Sequence, residues 1–288
     1  TNTNDAPYFV STSLDDAIED VFYSFQVVAD DVDTGTILTY SLSSPHPFLS
    51  IDSAGLISGT PTDNDAYAVE DVTVTVNDGF VDVTEVFELT VTNTPDAPTI
   101  SSSAITNVME DYGYSYAFVA EDIDGDILTL TAPTLPSWLE FTDNGDNTGT
   151  LSGLSGKPSN DEVGDHLVVL RAADASDFVE QSFTIVVDNT NDAPVITPDF
   201  ATTDEDTTIT FNILGNDNDD DGDTVTLVSV QQPVKGDVAD NPDGTITFDP
   251  YDDFEDLAPT EEEIIIFTYI INDGTIDSDP GTVTVNVT

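Results

Sequence analysis

The tetrapeptide NDAP at Asn4–Pro7 returns as PDAP at Pro95–Pro98 and as NDAP at Asn191–Pro194. Its aspartates stand at 5, 96 and 192, spacings of 91 and 96 residues, and the chain runs 96 residues past the last. Internal repetition of this kind predicts three domains of one general type, over 1–94, 95–190 and 191–288. Each closes on strict alternation: VTVTV from Val72 and FELTV from Phe87, FTIVV from Phe183, and VTVNV from Val283. Period two in Val, Ile, Thr and Phe, bounded by Gly, Pro, Asn and Asp, is the half-buried strand pattern. No amphipathic helix pattern stands out. The expectation is an all-β chain of three tandem immunoglobulin-like antiparallel sandwiches, with roughly seven short strands in each. The linkers TNTPDAP (Thr92–Pro98) and DNTNDAP (Asp188–Pro194) are so short that the units should stack end to end in an extended arrangement.

Charge limits the partners. The chain has 58 Asp plus Glu against 3 Lys plus Arg, a formal net charge of −55. Nucleic acid and anionic membranes are excluded as electrostatic partners, and cations are favoured. Acids number 17, 17 and 24 in the three units against 0, 2 and 1 bases, so the acidity is no appended tail. With 38% hydrophobic and 9% aromatic residues each unit can still bury a core. There is no cysteine, which excludes disulfides and thiolate metal sites. The longest apolar run, Ile264–Ile271, is broken by Thr268 and falls far short of the roughly 20 residues that span a bilayer, so no direct membrane insertion is expected. No secretory leader opens at Thr1, and the chain reads as a piece of something longer.

The carboxylates keep register. A Glu-Asp pair precedes an aromatic by the same interval in each unit: Glu19-Asp20 with Phe25, Glu110-Asp111 with Tyr116, Glu205-Asp206 with Phe211. Asp31 and Asp33, then Asp122 and Asp124, follow at fixed distance. In unit three the interval selects Asp217 and Asp219, whereas alignment of DTVTL with DILTL selects Asp219 and Asp221. A late aspartate ends a long alternating strand in each unit, at Asp78, Asp174 and Asp273. Hard cations take roughly six to eight oxygens, and two aspartates one residue apart in a loop can converge on one ion. Calcium is the expected ion. Magnesium retains its waters, and zinc would call for His or Cys. The run DNDDDG (Asp217–Gly222) imitates the opening of an EF-hand, but Val228 stands where that loop requires its bidentate Glu. Acids outside the repeated positions, such as Glu261–Glu263, read as a solvated coat.

This layout resembles tandem bacterial cadherin-like repeats. Units one and two are similar to the dystroglycan-type cadherin-like repeat through LPSWLEF (Leu135–Phe141) with LSGLSGKP (Leu151–Pro158), and through PFLSI (Pro47–Ile51) with LISGTP (Leu56–Pro61). Unit three is similar to a related tandem repeat through DEDT, ILGND, DGDTVT, NPDGTITFDP and FTYIINDG. The resemblance implies calcium caged at each junction by an early Glu, an acidic loop, an Asn-Asp linker, and Asp-x-Asp plus a late Asp of the following unit. For the first junction these are Glu19, Asp63, Asp65, Asn93, Asp96, Asp122, Asp124 and Asp174. For the second they are Glu110, Asp161, Glu162, Asn189, Asn191, Asp192, Asp219, Asp221 and Asp273. Asn4, Asp5, Asp31, Asp33 and Asp78 form the corresponding set on unit one. Pro95 departs from the Asn found at 4 and 191.

Repeats of this kind imply a calcium-stiffened stalk of a large secreted RTX-type adhesin at the bacterial cell surface, in contact with neighbouring repeats of its own chain. The alternatives are a module binding glycans or cell-surface proteins, and homotypic adhesion. No G-x-S-x-G elbow, phosphate loop or His-Glu helix motif occurs, so no enzyme is expected. Trp138 and the alternating Tyr112, Tyr114 and Tyr116 are assigned to the core. His46 and His166 have no recognisable partner in the sequence.

Overall fold

A computed structural model describes residues 3–66, 69–258 and 260–288. Among them the chain is all-β, relieved by three short 3-10 turns at Asp63–Asp65, Asn160–Glu162 and Tyr251–Phe254. No helix is long and apolar enough to cross a membrane.

Each unit is built on a pair of sheets, to which unit one adds a two-stranded one of Tyr8–Phe9 with Ala29–Asp30. In unit one, Ala17–Ile18, Asp82–Thr92, Val69–Asn77 and Thr39–Ser43 lie side by side in that order, facing Tyr23–Gln26, Leu56–Gly59 and Ser50–Ile51. Unit two repeats the arrangement with Asn107–Met109, Phe178–Asp188, Gly164–Ala173 and Thr129–Thr134. Unit three does so with Asp199–Thr203, Gly281–Val287, Glu263–Asn272 and Thr226–Val230. The long antiparallel hairpin in each sheet is where the sequence alternation is strictest, because one side chain in two must enter the core. Gly281–Val287 alternates without a fault, with Val283, Val285 and Val287 fully buried.

The three cores are separate. Unit one packs Tyr23, Val27, Ile57, Val72, Val74, Phe87 and Leu89; unit two Tyr116, Phe118, Leu151, Leu170 and Ile185; unit three Ile246, Phe248, Phe267, Ile271 and Val285. Each such side chain contributes about 1.5–3 kcal/mol relative to exposure, so every unit has its own driving force to fold. Trp138 is buried against Tyr114 and His166, edge to face at 5.8 and 5.6 Å. Tyr114 and Tyr116 are buried as expected from the sequence, but Tyr112 is 60% exposed. The strand begins only at Ser115, and Asp111, at φ +61°, turns the backbone before the period can start.

One topological feature positions the site. The short early strand pairs in parallel with the last strand of its unit, Ala17 opposite Val91 and Asn107 opposite Val186, and in unit three Asp199 opposite Val283. The glutamate just beyond that strand is thereby carried to the pole where the chain leaves for the next unit. The Glu19 amide donates to the Thr92 carbonyl at 3.0 Å and the Glu110 amide to that of Asp188 at 2.9 Å.

Candidate metal centres at the seams between units

Seam one joins units one and two; seam two joins units two and three. Glu19 and Glu110 are buried, at 0% and 1% exposure. The following residue, Asp20 or Asp111, adopts positive φ (58° and 61°), a left-handed bend that Asp tolerates better than most side chains. Its amide is fixed to the Pro61 or Pro158 carbonyl, at 3.1 and 2.9 Å. One carboxylate oxygen of each Glu accepts the amide of the linker threonine, Thr94 or Thr190. The other, Oε1 of Glu19 and Oε2 of Glu110, is buried without a hydrogen-bond partner.

Each of these glutamates clusters with at least one aspartate of the next unit. Carboxylate oxygens of Glu19, Asp63 and Asp96 lie within 4.8 Å of one another, as do those of Glu110, Asp192 and Asp221. The Asp-x-Asp loops are organised alike. The Asp96 amide donates to Asp124 at 2.7 Å and the Asp124 amide to Asp122 at 3.0 Å. At seam two the Asp192 amide donates to Asp221 at 2.7 Å and that of Asp221 to Asp219 at 3.0 Å. In each Asp-x-Asp aspartate of the two seams one oxygen is thus fixed by a backbone amide. The other, Oδ2 of Asp122, Oδ1 of Asp124, Oδ2 of Asp219 and Oδ1 of Asp221, is buried with no partner. This resolves the register of unit three to Asp219 and Asp221. Asp217 turns away to accept the Thr197 amide and the Tyr269 hydroxyl.

The late aspartates sit in loops whose amides converge on one oxygen: Phe80 and Val81 on Asp78, Ser176 and Asp177 on Asp174, Thr275 and Ile276 on Asp273. Such donors hold all three carboxyls below the ordinary range, the Asn4 amide being the largest influence on Asp78, the Asp177 amide on Asp174 and the Ile276 amide on Asp273. Asn4 and Asn191 clamp the second oxygen of Asp78 and Asp273, each at 2.8 Å. Pro95 has no such donor, and Oδ2 of Asp174 is left buried and unpartnered. On unit one's other pole, Asp5, Asp31 and Asp33 reproduce the loop, with the Asp5 amide on Asp33 at 2.8 Å and the Asp33 amide on Asp31 at 2.7 Å.

The acidic loops differ from the sequence expectation in detail. Asp65 and Glu162 close capping boxes, accepting from the amide and hydroxyl of Thr62 and of Ser159 at 2.7–3.0 Å. Those donors hold Glu162 below its ordinary pKa, with the Ser159 hydroxyl foremost. Asp65 is also lowered: burial alone would raise it, and the Thr62 amide and hydroxyl with His46 overcome that. The seam is met instead by the first residue of each turn, Asp63 and Asn160. Asn160 was not among the expected residues; its amide donates to Asp192 at 2.9 Å and its Oδ1 is buried without a partner. The repeated T/S-x-x-D/E spacing is the signal that would have found it. Asp161 is exposed on the lip of a cleft of about 410 Å³ at seam two. Asn93 turns its amide to the Thr94 carbonyl at 3.3 Å, and Asn189 is exposed. The histidines do have neighbours: His46 Nδ1 lies 3.4 Å from Asp65, and His166 Nε2 lies 2.5 Å from the Glu162 carbonyl.

Crowding is visible in the acids themselves. Burial first, and then the adjacent Asp63, push Glu19 up to about 7. Asp96 is raised as well, by burial and then by Asp63 and Asp124. The buried atoms left without a partner at both clusters are oxygens, most of them carboxylate, a donor set suited to a hard divalent cation.

Residues 6–92 and 97–188 each match the family model described as "Putative Ig domain", together more than half of the chain, and residues 191–286 match that described as "Bacterial Ig domain". The chain belongs to the Ig-domain family. No curated protein matches the sequence. Among solved structures, these Ig units are similar to protocadherin gamma B2 extracellular cadherin domains 1-5, with a TM-score of 0.58 and 18% identity over 98% of this chain and 60% of that one. They are similar also to the protocadherin gammaB4 extracellular domain, with a TM-score of 0.55 and 18% identity over 100% and 50%. The chain therefore spans only part of the length of both. At such identity the likeness establishes a shared fold, tandem Ig-like and cadherin-like repeats.

Proposed function

We propose that the chain is a calcium-rigidified segment of the stalk of a large extracellular bacterial adhesin of the RTX type, without catalytic activity. The observation that carries this reading is a buried glutamate at each seam that keeps one oxygen partnerless and clusters with at least one aspartate supplied by the following unit. A buried ionised carboxylate without a partner is unfavourable by several kcal/mol, so side chains held this way are understandable as ligands. The resemblance to dystroglycan-type cadherin-like repeats, read from the sequence, supports calcium in particular.

A calcium ion held at a seam would supply the positive charge that turns mutual repulsion of the carboxylates into shared ligation. Without it, Glu19 and Asp63 on unit one repel Asp96 on unit two across a linker of a few residues, and the units swing apart. Each unit keeps its fold throughout, because its core is its own.

Small-angle scattering and calorimetry during calcium titration of chelator-treated protein test the reading. The expected result is a rise in maximum dimension, a sharper cross-section and saturable heat. An unchanged profile with no heat at millimolar calcium would refute it.

A further inference from the structure

The two seams are built from the same positions but not from the same ligands. At seam one Glu19, Asp63 and Asp96 cluster, Asp122 lines a cleft with Asp63 and Asp96, Asp124 holds the Asp96 amide, and the late Asp174 of unit two has a buried, unpartnered oxygen. Seam two replaces Asp63 by the neutral Asn160, whose own amide already holds Asp192 at 2.9 Å. It also clamps Asp273 through Asn191 at 2.8 Å, whereas Pro95 leaves Oδ2 of Asp174 buried and free. A lysine stands near seam two, Lys157 on Asp111 at 2.6 Å, and unit one has no Lys or Arg. The ionic balance outside the clusters runs the other way. The middle residue of Asp-x-Asp is Ile123 at seam one and Asp220 at seam two, and Asp161 is a further exposed acid there. Exposed charges are screened by salt within about 8 Å at physiological ionic strength, however, and buried ligands are not.

Resting on the calcium reading above, we propose that the seams fill in a fixed order, seam one at lower calcium than seam two, so that the chain stiffens in two steps. Affinity for calcium in oxygen cages follows the number of charged ligands and the freedom of those ligands to engage. Seam one has one more carboxylate and no amide to displace. The separation expected from one charged ligand is on the order of tenfold in calcium concentration. Such a chain has three mechanical states: two hinges free, one hinge free, and none. Between the two midpoints, units one and two move as a single rod while unit three still swings.

The absence of cysteine makes each seam separately observable. Spin-labelled cysteines at the equivalent exposed positions Glu88 and Thr129 report seam one, and at Thr184 and Thr226 seam two. In full-length protein titrated with calcium from a chelated start, the distance distribution at seam one should narrow at about tenfold lower calcium than at seam two. Asp63→Asn should move the seam-one midpoint up toward that of seam two, and Asn160→Asp should move the seam-two midpoint down. Pro95→Asn should raise the seam-one midpoint by giving Asp174 the clamp that Asp273 already has. Narrowing of both seams at one concentration, or of seam two first, overturns the ordered filling and leaves calcium ligation standing. If neither distribution narrows at millimolar calcium, the calcium reading and the ordering fail together.

Discussion

Replacing Glu19 by Gln should stabilise unit one in chelator and weaken its response to calcium, a combination that few structural mutations produce. Gln keeps the acceptor for the Thr94 amide and the volume of the side chain while removing the charge. Without calcium, the wild-type carboxyl is raised from 4.5 to about 7, by burial first and Asp63 next. A folded pKa raised above the unfolded one means a contribution that is fully present below about pH 4.5 and lost as pH rises through about 7. At pH 8 the wild type therefore holds a buried negative charge at a cost of at most about 3 kcal/mol, taking about 1.4 kcal/mol per factor of ten. Screening through the seam cleft, about 400 Å³ in volume, brings the expected gain for Gln to about 1–2 kcal/mol. In calcium the advantage is offset: one charged ligand fewer raises Kd on the order of tenfold, and stabilisation by saturating ion falls by about 1.4 kcal/mol, about as much as the gain in chelator. Three units complicate a single melting curve, so hydrogen exchange at the Val72, Val74 and Leu89 amides, all in the unit-one core, is the suitable measure. Between pH 5 and pH 8 in chelator, wild-type protection should fall while that of Glu19→Gln stays level. Equal destabilisation of the variant with and without calcium would refute the reasoning, because it would make Glu19 a structural side chain.

Glu162→Ala removes the carboxylate oxygen that accepts both the amide and the hydroxyl of Ser159 and should cost unit two about 1 kcal/mol in denaturant unfolding, with no change in the number of calcium ions bound by calorimetry. Gly59→Ala would place a methyl group 2.0 Å from the Phe48 carbonyl oxygen and should destabilise unit one by about 1–3 kcal/mol, read by the same hydrogen exchange. Phe118→Ala in the unit-two core should cost about 3–5 kcal/mol, while exchange in units one and three changes little because their cores share no side chain with it.

How far the sequence discloses this molecule depends on how local each signal is. The hairpin strands are legible because VTVTV and VTVNV state their burial residue by residue. The short early strands, such as Ala17–Ile18 and Asn107–Met109, are not, since two or three residues carry no period and exist only through parallel pairing with the last strand. Yet that pairing carries the glutamate to the seam. The Asp-x-Asp pairs and late aspartates were legible as ligand candidates because their spacing is fixed within one loop. The acidic turn misled for a physical reason: Asp63 and Asp65 have identical chemistry, and only the backbone decides which faces the seam. The capping box claims Asp65, so the residue two earlier is left to point outward, and its counterpart in unit two is an asparagine that a search for acids passes over.

The same contrast separates the ligand acids from the rest of the −55 charge. Most carboxylates here are exposed and lose little by folding, so their number says nothing of an ion. Glu19, Glu110 and the Asp-x-Asp aspartates at the seams have one oxygen fixed by a protein donor, which is enough to hold the side chain, and the other buried without one. Fixing one oxygen removes much of the conformational entropy that ligation would otherwise cost. It also forbids the easiest relief of repulsion, rotation of the carboxylate into solvent. A seam built this way stores its electrostatic conflict in the geometry of each unit and releases it through the linker, so the angle between units should respond to a cation while the sandwiches themselves do not.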